Sequence, residues 1–398
     1  MKRIIACGWF VTALLLATLP IQGAYPVRSN AGLSSKLRAD LTQYVKTYGK
    51  KEHLSAVSFS ASFHNDPMKI DLAVGTTRLG GGVAVTPSNL FQIGSNTKAF
   101  TAVAILQLEA AGKLSIHDTV GKWLPQYPAW RKITIQQLLN MTSGIPTYDL
   151  NARFQAAVAA HPNHTFTVAD LVAYVYPHFK PPGKQWEYSN TSYILAQMVI
   201  AKAAASHSFR AEINRIIASV GLRNTFYEPE FYSTSVTSRL VAGYFWANGS
   251  GYEGYAPFLG MDTSRYSLSW LQGAGGIVGT PDDLATWARA LYHDTALLAP
   301  AQRAELMSLV STKTGHRIAR TSARDPAGFG LGVTQGYDKN LGAVWSYLGG
   351  TLGFRAIYDW FPSRDVVVAI MINSYPSVDH IGTAIASLTG TLKKAGKL

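Results

Sequence analysis

The chain has 398 residues, 47% hydrophobic and 15% charged, with a formal net charge of +13. This is enough apolar material for one large domain or two, and it excludes an intrinsically disordered chain. The surplus positive charge is spread out, with no dense basic and aromatic stripe, so a nucleic-acid binder is excluded as well.

Met1-Lys2-Arg3 and the apolar run Ile4 to Leu19 precede the small residues of Pro20-Ile21-Gln22-Gly23-Ala24. A basic start, a short apolar core and a small-residue cleavage site predict a signal peptide over residues 1–24, and the run is slightly short for a membrane span. The expected location is periplasmic or secreted, with no integral membrane span after cleavage. The only cysteine, Cys7, lies inside this stretch. The mature protein is therefore expected to lack thiols, which excludes a cysteine nucleophile and thiolate metal sites.

Residues 34–48 read as an amphipathic helix with Leu37, Leu41, Tyr44, Val45 and Tyr48 on one face. Val57 to Phe63 alternates like a strand, and His64-Asn65-Asp66-Pro67 turns the chain into a second strand near 68–75. Phe91-Gln92-Ile93-Gly94-Ser95-Asn96-Thr97-Lys98 then opens a long Ala- and Leu-rich run that stops at Gly112. Its faces are nearly all apolar, so a helix buried through the middle of the fold is expected. Ser95 falls at the helix N-terminus, and Lys98 follows one turn later on the same face. A lysine whose pKa is lowered by burial can help a serine lose its proton, and the unpaired N–H groups of a helix start favour the negative charge that develops.

Residues 116–225 read as mostly helical. Thr134-Ile135-Gln136-Gln137 has capping-box spacing, a helix is expected near 167–176, Asn190 is placed to cap a helix through Val199, and another helix spans about 208–219. Residues 226–272 lack periodicity and read as a long loop region of the kind that walls or covers sites. Thr280-Pro281-Asp282-Asp283 starts a helix. Strands are then expected at Phe329–Thr334, Val344–Leu348, Phe354–Trp360 and Val366–Ile372, as an antiparallel meander before a closing helix over 377–395. The fold class is α/β (α+β). An antiparallel sheet flanked by helices is built from both chain ends, residues 25–115 and 273–398, with a mostly helical lobe, 116–272, inserted between them.

A second motif, Tyr188-Ser189-Asn190, lies at the mouth of a helix. A phenol serves as general base when nearby cations lower its pKa, and an amide orients a lysine and a substrate. With Ser95-x-x-Lys98 and Tyr188-x-Asn190 together, the chain resembles the serine β-lactamase and penicillin-recognising hydrolase family. The branch it resembles holds class C β-lactamases, D-alanyl-D-alanine carboxypeptidases, D-aminopeptidases and β-lactamase-like esterases. Further stretches in family order are Gln137-Leu138-Leu139 with Thr142-Ser143-Gly144-Ile145, Gly275-Gly276-Ile277-Val278 with Asp282-Asp283-Leu284, and Gly349-Gly350-Thr351 with Gly353-Phe354. The resemblance covers roughly residues 36–395 and implies the β-lactamase/transpeptidase fold.

It also implies an acyl-enzyme on Ser95, with Lys98 and Tyr188 handling its proton and with backbone N–H groups of Ser95 and Gly350 as the oxyanion hole. No cofactor or metal is implied. A small ester, peptide or β-lactam is the implied substrate, and peptidoglycan the implied macromolecular partner. The family's third motif, Lys/His-Thr/Ser-Gly, reads Tyr347-Leu348-Gly349 here. The missing cation normally holds a substrate carboxylate, so a β-lactamase-like carboxylesterase is expected. D-alanyl-D-alanine carboxypeptidase, D-aminopeptidase or β-lactamase activity is one alternative, and a non-catalytic cell-wall or β-lactam binder is the other. Arg355 is a candidate to replace the cation. The literal Lys313-Thr314-Gly315 lacks strand pattern and is read as coincidental. Rival hydrolase types fail on motif: there is no His-Glu-x-x-His and no Gly-x-Ser-x-Gly.

Overall fold

The structure is a computed structural model that describes residues 31–64 and 66–398. The expected signal peptide and Cys7 lie outside the described residues.

Ten strands form one sheet. In chain order they are β1 (Ala56–Phe63), β2 (Asp66–Arg78), β3 (Gly81–Ala84), β4 (Leu309–Ser311), β5 (Arg317–Ile318), β6 (Ala327–Phe329), β7 (Thr334–Asp338), β8 (Gly342–Gly350), β9 (Arg355–Phe361) and β10 (Val366–Ile372). Their spatial order is β3-β2-β1-β10-β9-β8-β7-β6-β4-β5, so strands from the two ends of the chain meet where β1 pairs antiparallel with β10. Every residue of β10 is buried, and its alternate side chains enter two separate cores: Val368 and Ile370 on one face, Val367, Ala369 and Met371 on the other. That is why its sequence reads as an unbroken apolar run.

The first face is covered by α1 (Ala31–Glu52), through Leu37, Leu41 and Tyr44, and by the C-terminal helix, through Leu388 and Leu392. Against the other face packs the helix Pro281–His293, which touches β1, β9 and β10, and next to it runs α2 (Thr97–Ala110), buried at every position from Thr97 to Leu106. Phe100 of α2 stacks on Trp287, ring centroids 3.6 Å apart, and so joins α2 to the helix Pro281–His293 that Thr280 caps. Residues 116–272, between α2 and the helix Pro281–His293, include the helices α3 (Asn190–Ala203) and α4 (Phe209–Val220). Among the described residues no helix is long and apolar enough to cross a membrane.

Three expectations need correcting. The strand expected over Phe329–Thr334 is two strands, β6 and β7, with Gly330 N–H donating to Val333 O at 2.8 Å in the turn between them. Apolar Leu331 and Val333 masked the turn that Gly330 and Gly332 make. The cap of α3 is Ser189, whose side chain accepts from Ser192 N–H, and Asn190 is the first helical residue. The closing helix begins at Ile381, because residues 374–376 form a short strand paired with Tyr244–Trp246.

Candidate active site

Ser95 sits in a turn of 3-10 helix, Gly94–Asn96, that runs directly into α2. Side chains within the turn fix its shape. Asn96 Nδ2 donates to Ile93 O and to Ala356 O on β9, both at 2.9 Å, and Thr97 Oγ1 donates to Gly94 O at 2.8 Å. The end of β8 lies against this turn, backbone to backbone. Gly94 has φ +52°, and a Cβ on it would meet Gly350 O at 2.5 Å; a Cβ on Gly349 would meet Ile93 O at 2.1 Å. Only glycine fits at either position.

This approach brings two N–H groups together. Ser95 N–H is at the start of a helix, where N–H groups have no intrahelical acceptor. Thr351 N–H donates to Phe354 O at 3.0 Å, which makes Gly350 and Arg355, the next pair inward, a non-hydrogen-bonded pair. Gly350 N–H therefore points away from β9, toward the edge that β7 leaves open beyond Ser346. Two backbone donors beside Ser95 are the geometry an oxyanion needs.

Lys98 Nζ lies 3.0 Å from Ser95 Oγ and donates to Ala274 O at 2.7 Å. The residue is fully buried. Burial lowers its pKa to about 7, against a smaller opposing pull from Asp149. At neutral pH a large share of Lys98 is thus a free amine that can accept the Ser95 proton while still held by Ala274 O.

Tyr188 Oη lies 2.6 Å from Ser95 Oγ. As a residue Tyr188 is only half-buried, because one edge of its ring faces the cavity, but its hydroxyl is densely surrounded. Burial pushes its pKa well above the usual phenol value, and the hydrogen bond with Ser95 offsets only part of that. The condition for a phenolic base, a pKa lowered by nearby cations, is therefore not met at Tyr188. Tyr188 is placed to donate or relay a proton at Ser95 Oγ. Tyr188→Phe removes one oxygen and leaves the ring packing, so the expected result is a folded protein with turnover reduced about 10²-fold. Circular dichroism and steady-state kinetics check it, and near-normal turnover would make Tyr188 a packing residue.

Of the other expected site residues, Asn190 lines the cavity but makes no hydrogen bond to Lys98; its Oδ1 is buried with no partner among the described residues. Tyr347 is buried beside Tyr188, and burial raises its phenol pKa well above the usual value. Arg355 does not stand free as the replacement cation. Its Nη2 donates to the fully buried Glu52 Oε2 at 2.6 Å, its Nη1 to Asp379 Oδ1, and its Nε to Ser374 O at 2.8 Å. Lys313 is exposed in the turn between β4 and β5 and is not part of the cavity wall.

The cavity in front of Ser95 holds about 680 Å³ and brings in residues that sequence reading missed. Asp149 is the most consequential. It lies just after Thr142-Ser143-Gly144-Ile145, on a loop drawn inward by fully buried Tyr148, whose hydroxyl donates to Trp270 O. Asp149 accepts from Thr147 Oγ1 and forms no ion pair among the described residues. Its only sequence signal was that position after the motif. Thr351, with a buried and unpartnered hydroxyl, and Tyr252 and Tyr375, whose hydroxyls are 2.8 Å apart, complete the polar wall.

Residues 41–388 match the beta-lactamase family model. The chain is similar to Penicillin-binding protein 4* of Bacillus subtilis, 28% identical over 277 residues; this covers 68% of the chain and only 57% of that relative's own length. Among solved structures it is similar to a D-stereospecific amidohydrolase from Streptomyces sp., at TM-score 0.72 and 26% identity over 90% of this chain and 98% of that one. It also shares the fold of a D-amino acid amidase from Ochrobactrum anthropi, at TM-score 0.74 and 20% identity over 92% and 99% of the two chains.

Proposed function

The chain belongs to the beta-lactamase family and is a serine hydrolase, and from that premise we propose that it hydrolyses small neutral or amine-bearing esters and amides through an acyl-enzyme on Ser95. Neutral Lys98 takes the Ser95 proton as Oγ bonds to the carbonyl carbon, and the carbonyl oxygen gathers charge between Ser95 N–H and Gly350 N–H. The C–O or C–N bond of the leaving group then breaks. Tyr188, within reach of Ser95 Oγ and backed by Lys98, supplies the proton that the departing group needs. Water repeats the sequence on the acyl-enzyme and releases the acid.

One observation carries the substrate preference: the charge of the cavity wall. Among the described residues Arg355 is the one cation lining that wall and is bound to two carboxylates, whereas Asp149 forms no ion pair. A carboxylate-bearing penicillin or D-Ala-D-Ala terminus meets no available positive group there. A substrate ammonium or amide N–H meets Asp149 and the unpartnered Oδ1 of Asn190. That favours an esterase or amidase over a β-lactamase. The likeness to the Streptomyces D-stereospecific amidohydrolase supports amides as well as esters. The leader-like residues 1–24 support export, which would put peptidoglycan fragments within reach.

The test is a panel of p-nitrophenyl esters, aminoacyl amides of both hands, D-alanyl peptides and a chromogenic cephalosporin. Neutral and amine-bearing compounds should lead in kcat/KM. Asp149→Asn should cost amine-bearing substrates roughly tenfold relative to neutral esters, the scale of a lost charge-assisted hydrogen bond. A wild-type preference for the cephalosporin or for D-alanyl-D-alanine peptides would overturn the reading.

A further inference from the structure

The cavity wall contains a carboxylate site that is already occupied. Arg355 opposes Gly350 in the β8–β9 register, so its backbone stands beside one of the two oxyanion donors. Its guanidinium is nearly all buried, and its two carboxylate partners differ in kind. Glu52 is fully buried, and its other contacts are structural: Tyr44 Oη at 2.9 Å, and the backbone N–H and ring Nδ1 of His380, each at 2.8 Å. Asp379 is 33% exposed and lines the cavity, where it covers Nη1. The same Oδ1 accepts Ile381 N–H at 2.8 Å, so the start of the C-terminal helix holds this carboxylate in place. Two carboxylates share one guanidinium; Glu52 also pairs with His380 Nδ1 in the interior, and Asp379 is the one that faces the cavity.

We propose that Asp379 is a specificity-determining residue that fills the position a substrate carboxylate would take on Arg355, and so excludes anionic substrates. This rests on the Ser95 acyl-enzyme reading and deepens it. The chain has a buried guanidinium at the cavity wall, but it donates Nη1 to its own side chain rather than to a ligand. In Asp379→Asn the amide oxygen still accepts Nη1 and Ile381 N–H but the repelling charge is gone, and in Asp379→Ala Nη1 is uncovered toward the cavity while Glu52 still balances Arg355. An incoming carboxylate then gains a charge-assisted bond where it now meets repulsion.

The experiment compares kcat/KM for the p-nitrophenyl monoesters of succinic and glutaric acids with that for the butyrate and valerate esters, in wild type and Asp379→Asn. Each preparation is normalised to the serine titrated by a neutral fluorophosphonate, so misfolded molecules do not count. The amide of Asp379→Asn can keep the Ile381 contact. The expected result is a rise of roughly tenfold or more in the anionic-to-neutral ratio, expressed in KM rather than kcat. Asp379→Ala gives a second reading: added acetate should refill the vacated position and selectively inhibit the anionic esters, with no such effect in wild type. An unchanged ratio in Asp379→Asn, or acetate indifference in Asp379→Ala, overturns the proposal. Loss of the acyl-enzyme reading would look different, because neither ester class would then acylate Ser95.

Discussion

Ser95→Ala is expected to abolish turnover, with a loss of at least about 10⁴-fold, because no second nucleophile shares the position. The substitution should leave the fold intact. Among the described residues Ser95 Oγ hydrogen-bonds with Tyr188 and Lys98, and Lys98 keeps its bond to Ala274 O when that oxygen is gone. Asn96 and Thr97, which shape the turn, are untouched. The direct measurement is mass spectrometry after a fluorophosphonate or a slowly released acyl donor. One adduct per chain should fall on the peptide containing Ser95 and should be missing from Ser95→Ala. An adduct on another serine of an intact protein would end the mechanism.

Removal of the amine at Lys98 comes second in size. Lys98→Ala should lower kcat/KM by about 10²–10⁴-fold, the range for loss of a general base. The wild-type pH profile carries the same information without a substitution. Because the base must be unprotonated and its pKa is lowered to about 7, kcat/KM should fall as pH drops through about 7, and Tyr188→Phe should keep that limb while lying lower. Stability responds with a definite sign. Between about pH 7 and the ordinary lysine value of 10.5, the unfolded chain binds a proton on Lys98 that the folded chain does not. Stability therefore gains from Lys98 as pH rises across that window, and Lys98→Met should remove that part of the slope. Urea titrations at pH 7 and pH 9 measure it. A profile flat from pH 6 to pH 9 would rule out a neutral Lys98 as base.

What could be read in the sequence was local. Ser95 and Lys98 are one helical turn apart, and the apolar run after them could only be an interior helix, as α2 is. The alternation of β1 marked a strand and the apolar run of β10 another, although β1 is buried on both faces, Ser58 and Ser60 included. What could not be read depended on partners far along the chain. Arg355 looked available because nothing near it showed that Glu52, 303 positions earlier, would claim it. The charge state of Tyr188 is also a tertiary property: the cation expected to lower its pKa is itself depleted by burial, and the same burial raises the phenol. Asp149 was passed over because only the inward packing of Tyr148 turns that loop toward Ser95. The motif positions thus foretold that Ser95, Lys98 and Tyr188 would meet, but not that Asn190 would stand apart from Lys98, and the electrostatics emerged only from the packed fold.

The glycine contact between the Ser95 turn and the end of β8 bears on how such an enzyme diversifies. Ile93, Gly94, Gly349 and Gly350 meet through main-chain atoms, so no side chain separates the two N–H donors or sets their spacing. Tyr347 and Leu348 lie just upstream on the same strand, one buried beside Tyr188 and the other 46% exposed at the cavity. A lineage can exchange those two residues, and with them the kind of molecule admitted, while the charge-stabilising frame stays where it was. Catalytic competence and substrate choice are in this sense separately heritable along a single strand. A descendant with a new diet need not pass through an inactive ancestor.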